Sequence, residues 1–483
     1  MPINCAGGTL ASYVPDSNKP WNANRVSHLY KRMGFGATYA EIQAGLQLTP
    51  QQLVQNLIND AKNAALLPPP TWFNWTANNY TSPDPNAEKI EQYKEMYFRW
   101  LNEMLQTGVR EKFALFWHNH FVTQYTEYNC PSYLYEYHKL LQQYAFGNFK
   151  DFVKAIGKSA AMLVFLNGSV NRKNRPNENY ARELFELFTL GVNVGYTEQD
   201  IDEAAKALTG YTDVTVECGA INFKPVDFDN STKTVFGVQG NFDFDSLHDL
   251  IFQERAVEVS QFIASKVYTH FVHYLPNQTI IDGMAQTFRN NNFEIEPMLV
   301  ELFSSDHFFE DDAISVQIKS PVECLIGMVK EGNLPYDNII IEAAGYITID
   351  MGQQLFQPID VAGWSGNRSW INGTTITKRW DALSKFLDYI VAVSNKEKLR
   401  DLAIETSGNS TDVALVARKI TDHFIPKGLD TSAAYNEATA ALKYQVPQNY
   451  FDLGLWDLQF QYVPEQVWNL MKWVIRRPEF QLN

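Results

Sequence analysis

Between Asn177 and Gly191 the chain reads Asn-Glu-Asn-Tyr-Ala-Arg-Glu-Leu-Phe-Glu-Leu-Phe-Thr-Leu-Gly. Three carboxylates and an arginine set among apolar residues in so short a span are the parts of an acid–base site. On a 3.6-residue period Asn179, Glu183 and Glu186 share one helix face, and Glu178, Arg182 and Glu186 are linked by four-residue steps. Leu184, Leu187, Phe188 and Leu190 supply the core side. Two carboxylates in a partly apolar cleft separate their pKa values, one keeping its proton while the other stays ionised, and a glycosidase uses such a pair. Glu183 and Glu186 are only one turn apart, so a partner acid is needed from elsewhere, and Asp229 and Asp200 are available. The competing reading of the same residues is a solvated ladder or a structural ion network that sets helix register.

Other residue types suggest chemistry elsewhere. His118 and His120 fall on a helix expected over 110–124, where a two-residue step points them about 200° apart, so they do not grip one ion. Zinc sites built on one helix use spacings such as HExxH. The two rings are either satisfied structural histidines or, for one of them, a donor to a glutamate of the 178–186 helix. His270 and His273 are spaced for one face and are read as ordinary. The loop Gly363-Trp364-Ser365-Gly366-Asn367-Arg368-Ser369-Trp370 carries two tryptophans, which either stack on sugar rings or anchor the loop to the core. The candidate catalytic set is therefore Glu178, Arg182, Glu183, Glu186, His118, His120 and Asp229. The candidate substrate contacts are Trp364, Arg368, Trp370 and Lys233. No GxSxG, Walker A or EF-hand pattern is present, and Gly34-Phe35-Gly36 lacks the strand that a nucleotide fingerprint requires.

The elements that must position these residues are mostly helices. Thr49-Pro50-Gln51-Gln52 has a cap, Pro in the first turn and Gln three residues after the cap. Thr197 with Asp200 is a second capping box, opening a helix over 201–208. Helical periodicity recurs at about 87–106, 109–127, 131–145, 149–165, 254–273, 278–290, 294–304, 318–331, 337–350, 377–392, 411–424, 431–443 and 462–476. Between 211 and 240 the pattern changes to Thr, Val, Phe, Asp and Gly with short alternation, which predicts a small β-hairpin insertion. The stretch 352–375 is irregular and long for a structureless loop, which marks it as a candidate for function. The fold expectation is thus mainly α: a single large multi-helix domain over 25–483 with a β-rich insertion, preceded by an extension over 1–24.

Composition limits the partners. The 483 residues are enough for a large core, and the net charge of −15 with no clustered basic surface argues against nucleic acid. Cys5, Cys130, Cys218 and Cys324 form no CxxC pair and read as free thiols, one bridge being the alternative. No run approaches a membrane span, and Met1 to Lys19 has no basic stretch followed by an apolar one. The default compartment on that reading is the cytoplasm.

Several segments accumulate into a resemblance. They are Arg32-Met33-Gly34-Phe35-Gly36-Ala37-Thr38, Phe116-Trp117-His118-Asn119-His120-Phe121, the Asn177–Gly191 stretch, and Tyr196-Thr197 through Ala207-Leu208-Thr209-Gly210-Tyr211. Lys319-Ser320-Pro321-Val322-Glu323, Gly352-Gln353-Gln354-Leu355-Phe356, Val361-Ala362-Gly363-Trp364 and Trp370 follow in order. Together they resemble the bacterial domain-of-unknown-function family 1800 (DUF1800) over about residues 25–480. The resemblance implies no settled activity. It implies export for many relatives, a sulfatase-like companion and work on the envelope or a polymer. The family pattern commonly has His where this chain has Phe188 and where it has Phe228, so an interacting pair of histidines is replaced by phenyl rings. No cofactor and no transition metal is therefore expected, although Glu183, Glu186 and Asp229 could hold Mg²⁺ or Ca²⁺ weakly. Two functions follow as expectations. One is a hydrolase or lyase acting on a carbohydrate or envelope polymer through the acidic helix. The other is a non-catalytic binding or assembly protein with a structural polar helix and aromatic recognition loops.

Overall fold

The computed structural model describes Cys5 and residues 7–483; Met1 to Asn4 and Ala6, the start of the expected extension, lie outside the described residues. Helices dominate: 23 α-helices stand against four strands of two or three residues each among the described residues. Both capping boxes form where the sequence predicts them. Thr49 caps Pro50–Asn63 with Gln52 answering, and Thr197 caps Glu198–Ala207 with Asp200 answering. A third box uses Ser320, Pro321 and Glu323 to start Pro321–Glu331. Each box satisfies backbone N–H groups that a helix start otherwise leaves without partners.

The β-rich stretch holds two antiparallel hairpins, Asp213–Val214 with Ile221–Asn222 and Lys233–Val235 with Val238–Gly240. The first hairpin is tied to the helical body by a disulfide between Cys130 and Cys218. This corrects the reading of four free thiols: only Cys5 and Cys324 are free, and both are buried. Eighty-eight residues separate the bonded pair, so no local spacing announces it.

Gly108–His120 runs through the centre of the molecule. Trp117 on this helix and Trp100 on Pro85–Gln106 are fully buried, and Phe113, Phe116, Phe121, Phe149, Phe152 and Phe271 pack around Trp117 and its neighbours. Rings of this size bury the most apolar area per residue, so they set where the helices meet. The last residues lie beside the start of Pro321–Glu331: Ile318 bridges Leu482, and the Lys319 N–H donates to the Gln481 carbonyl at 2.9 Å.

Candidate functional site

The helix Asn179–Glu183 does not continue as an α-helix; Leu184–Thr189 is a π-turn. Arg182 donates to Glu198 at 2.7 Å, to Glu178 at 3.2 Å and to Glu186 at 3.3 Å. These side chains are solvated, with Arg182 32% and Glu178 48% exposed, so the four form a surface ladder. Glu183 is half-buried, and burial together with the Glu186 carboxylate pushes its pKa up. Asp229 lies elsewhere: it turns back on Ser231 at 2.9 Å from that residue's N–H. Lys233, fully buried, donates to the carbonyls of Asp229 (2.6 Å) and Ser231 (2.9 Å) and so ties down the loop that leads into the second hairpin.

His118 is also committed to the fold. Its Nε2 accepts the Phe356 N–H at 3.1 Å, which leaves Nδ1 as donor to the Tyr137 hydroxyl at 2.8 Å; that hydroxyl donates to the Phe121 carbonyl at 2.7 Å. Burial holds its pKa at about 3, so the ring is neutral. Phe188 packs on His120, Phe121 and Tyr180, whereas Phe228 packs on Phe223 and beneath Lys233. The two phenyl rings share no contact, so they are not the two halves of one interacting pair.

The other face of Gly108–His120 lines a cavity of about 440 Å³. Lys112, Phe116, Asn119 and His120 stand at helical spacing along that face. Lys266 and His270, four residues apart on Ala256–Phe271, form a second wall. Arg32, Glu323, Gln353, Tyr274, Trp364 and Trp370 complete the enclosure. Three cations and one carboxylate therefore surround the space. The carboxylate is already engaged: Glu323 receives the Lys112 ammonium, the Ser320 N–H at 2.6 Å and the Asn483 amide at 3.0 Å. Burial alone would raise its pKa, but Lys112 outweighs that and holds it down at about 2.

Arg32 donates through Nη2 to the carbonyls of Val272 and Ala313, each at 3.1 Å, and its buried Nε has no partner among the described residues. Lys266 donates to the Leu187 carbonyl at 3.2 Å and to His120 Nδ1 at 3.1 Å, with no carboxylate as partner among the described residues. Burial pushes its pKa down to about 8. His120 Nε2 in turn faces the Phe188 carbonyl at 3.1 Å, so both ring nitrogens are in use. The π-turn thus reaches the cavity through backbone: Leu187 and Phe188 present last-turn carbonyls, where a helix dipole favours cations. His270 is exposed to the cavity, and enclosure plus the nearby Lys112 lower its pKa.

The irregular loop forms one wall. Asn119 clamps Trp364 by accepting its N–H at 2.7 Å and donating to its carbonyl at 3.1 Å. Gly363, at φ +83°, sits where any Cβ would collide with the Asn119 side chain. Trp364 and Trp370 lie 6.5 Å apart, and Arg368 stands over the ring of Tyr274 at 5.5 Å.

Of the sequence candidates, His120, Trp364 and Trp370 line the cavity and Arg368 stands on a lining ring. Glu178, Arg182, Glu183, Glu186, His118, Asp229 and Lys233 do not line it. Arg32, Asn119, Glu323 and Gln353 lay inside quoted segments without being singled out. Lys112, Lys266 and His270 lay outside them; the four-residue step from Lys266 to His270 was the available signal.

A helical protein with a polar cavity lined by widely separated segments is the class of molecule defined by this geometry. The family described as "Protein of unknown function (DUF1800)" matches residues 28–482, nearly the whole chain, and the protein belongs to that family. No curated protein and no solved structure matches it. Six of the eight quoted family segments, those carrying Arg32, Asn119, Ser320, Gln353, Ala362 and Trp370, contribute lining residues to the cavity. No helix among the described residues is long and apolar enough to cross a membrane.

Proposed function

We propose that the cavity is the working site of the protein and that it takes an anionic, ring-bearing ligand. The observation that carries this is the excess of Arg32, Lys112 and Lys266 over the single, engaged Glu323, around a cavity walled by Phe116, Tyr274, Trp364 and Trp370. A concave site of this size with a few convergent polar groups suits a small ligand or the end of a polymer. The chain as a whole carries −15, so a local positive field does not follow from composition and must come from placement. An acidic sugar fits both features, its carboxylate or sulfate meeting the cations and its ring meeting the tryptophans.

Between the two enzyme classes, the lining favours base-driven elimination over glycoside hydrolysis. Hydrolysis needs two carboxyl groups flanking the bond, and the lining supplies one, already paired. Lys266 has the lowered pKa of a proton carrier, and His120 orients it by accepting one of its protons. In this reading Arg32 and Lys112 neutralise the substrate's acid group and neutral Lys266 takes the proton from the carbon beside it; the C–H electron pair becomes the new C=C bond as the β C–O bond breaks, and the leaving oxygen departs with the proton returned from Lys266. Arg182 and its acidic partners serve as an exposed ladder. A polymer of the envelope and a sulfatase-like companion remain part of the proposal through the family resemblance alone.

The test is a panel of acidic and neutral oligosaccharides followed by calorimetry and by ultraviolet absorbance of an unsaturated product. Binding confined to the acidic members, lost in Lys266→Met and in Arg32→Gln, supports the site; equal binding of neutral members refutes it. Product formation by the wild type that rises with pH through about 8 while binding weakens, and that is absent from Lys266→Met, supports elimination. Binding without any product favours the non-catalytic alternative, for which the preformed, fully hydrogen-bonded Trp364 clamp also speaks.

A further inference from the structure

Behind the cavity, on the core side of Gly108–His120, lies a second polar constellation that the proposed function does not use. Glu103 of Pro85–Gln106, Glu111 of Gly108–His120 and His138 of Pro131–Gln143 are 2%, 0% and 3% exposed. One ligand-type atom from each lies within 4.8 Å of the other two. Donors on opposite sides of one ion at 2.0–2.6 Å stand about 4–5 Å apart, so the spread is that of a coordination shell.

The three groups are unevenly satisfied. Glu111 receives Arg110 Nε at 2.7 Å, Trp100 Nε1 at 3.0 Å and the Gln142 amide at 3.0 Å. Among the described residues Glu103 receives only the same Gln142 amide, at 3.2 Å, and has no cation in salt-bridge range. His138 Nε2 is buried without any hydrogen-bond partner among the described residues and stands 3.8 Å from Glu111 Oε2. That distance is too long for a hydrogen bond. Arg110 pairs with Glu111, and among the described residues no cation stands beside Glu103. An imidazole nitrogen and two carboxylates converging on one point call for a positive centre between them.

We propose that Glu103, Glu111 and His138 bind one divalent transition cation, of the Mn²⁺ to Zn²⁺ series. Mixed imidazole and carboxylate donors select such ions over Ca²⁺ and Mg²⁺, which prefer oxygen alone. Each ligand comes from a different helix, so the ion ties three core helices together. Its influence also extends toward the cavity. Trp100, which donates to Glu111, packs edge-on against His138 at 4.6 Å and His118 at 5.6 Å, and His118 packs against Trp364 at 5.5 Å. This site is separate from the positions of Phe188 and Phe228, and it stands whether or not the cavity binds an acidic sugar.

The experiment uses the full, untagged chain expressed with added Zn²⁺ or Mn²⁺, because a ligand set this buried fills during folding. Elemental analysis after gel filtration is expected to find about one ion per chain, and removal with a chelator is expected to lower Tm. Glu103→Gln and His138→Gln are expected to reduce retention at least ~10-fold. Wild-type protein that carries no ion, or variants that carry as much as wild type, overturns the proposal. Should both variants fail to fold, X-ray absorption of the loaded wild-type protein decides: one nitrogen with oxygen neighbours supports the site, and sulfur or several imidazoles refutes it.

Discussion

The Lys266 ammonium has the His120 ring and the Leu187 carbonyl as partners and, among the described residues, no carboxylate. Its folded pKa of about 8 lies below its ordinary 10.5 because burial disfavours the charge. Two pH dependences follow, with opposite signs. Affinity for an anion falls as pH rises through about 8, because the charge that attracts it is lost; a bound anion shifts the fall to higher pH. A reaction that uses the neutral amine as base instead gains kcat/KM through the same range. Stability moves too: the unfolded chain binds more protons here between about 8 and 10.5, so this residue makes the fold more stable as pH rises through that window. Calorimetric titration and pH–rate profiles, each compared with Lys266→Met, separate these effects. At His118 the expectation is structural. His118→Leu leaves the buried Phe356 N–H without an acceptor, which costs about 1–3 kcal/mol, read as a lower denaturation midpoint. An unchanged midpoint would mean that the Tyr137–His118–Phe356 chain does not support the fold.

At the scale of elements, the acidic helix is informative for a different reason than its charges suggest. Arg182→Ala removes an exposed ladder and should cost less than about 1 kcal/mol; a loss of 3 kcal/mol or more would indicate a buried network instead. What the element brings to the cavity is its π-turn, a geometry frequent at functional sites, which aims the Leu187 and Phe188 carbonyls at Lys266 and His120. The loop wall depends on one backbone position. Gly363→Ala combines an unfavourable φ with a collision at Asn119, so it should displace Trp364 and weaken ligand binding while the helical circular dichroism stays unchanged. Most helices were legible because their apolar period is strong: Gln278–Asn290 falls on its expected span, and Pro85–Gln106 and Ile295–Phe303 lie within two residues of theirs. Phe244–Glu254 and Glu397–Ser407 were not anticipated, the first hidden behind the β-rich stretch. The expected 149–165 helix is broken at Ser159, which caps a new one.

At the scale of the molecule, the Cys130–Cys218 bridge closes 88 residues and should contribute up to about 4–5 kcal/mol through the unfolded state. Cys130→Ser with Cys218→Ser should lower Tm, and alkylation of the unreduced, unfolded protein should modify two thiols; modification of four would disprove the bridge. Such bonds persist where the surroundings are oxidising.

The amino-acid sequence alone determined that the protein is mainly helical, where most helices begin and end, which stretch carries the strands, and which family it belongs to. These follow from interactions a few residues apart: periodic burial, caps and turn residues. It also marked the segments that meet at the cavity without saying that they meet. Only the tertiary structure decided that Arg32, Lys112, Lys266 and Glu323 surround one space, that Glu178 and Arg182 lie in a solvated ladder away from it, and that Cys130 finds Cys218. A helical period specifies which side of each helix is apolar but not which polar side chains from distant helices will face each other. That pairing is set by how the large rings around Trp100 and Trp117 pack, and packing couples residues hundreds of positions apart.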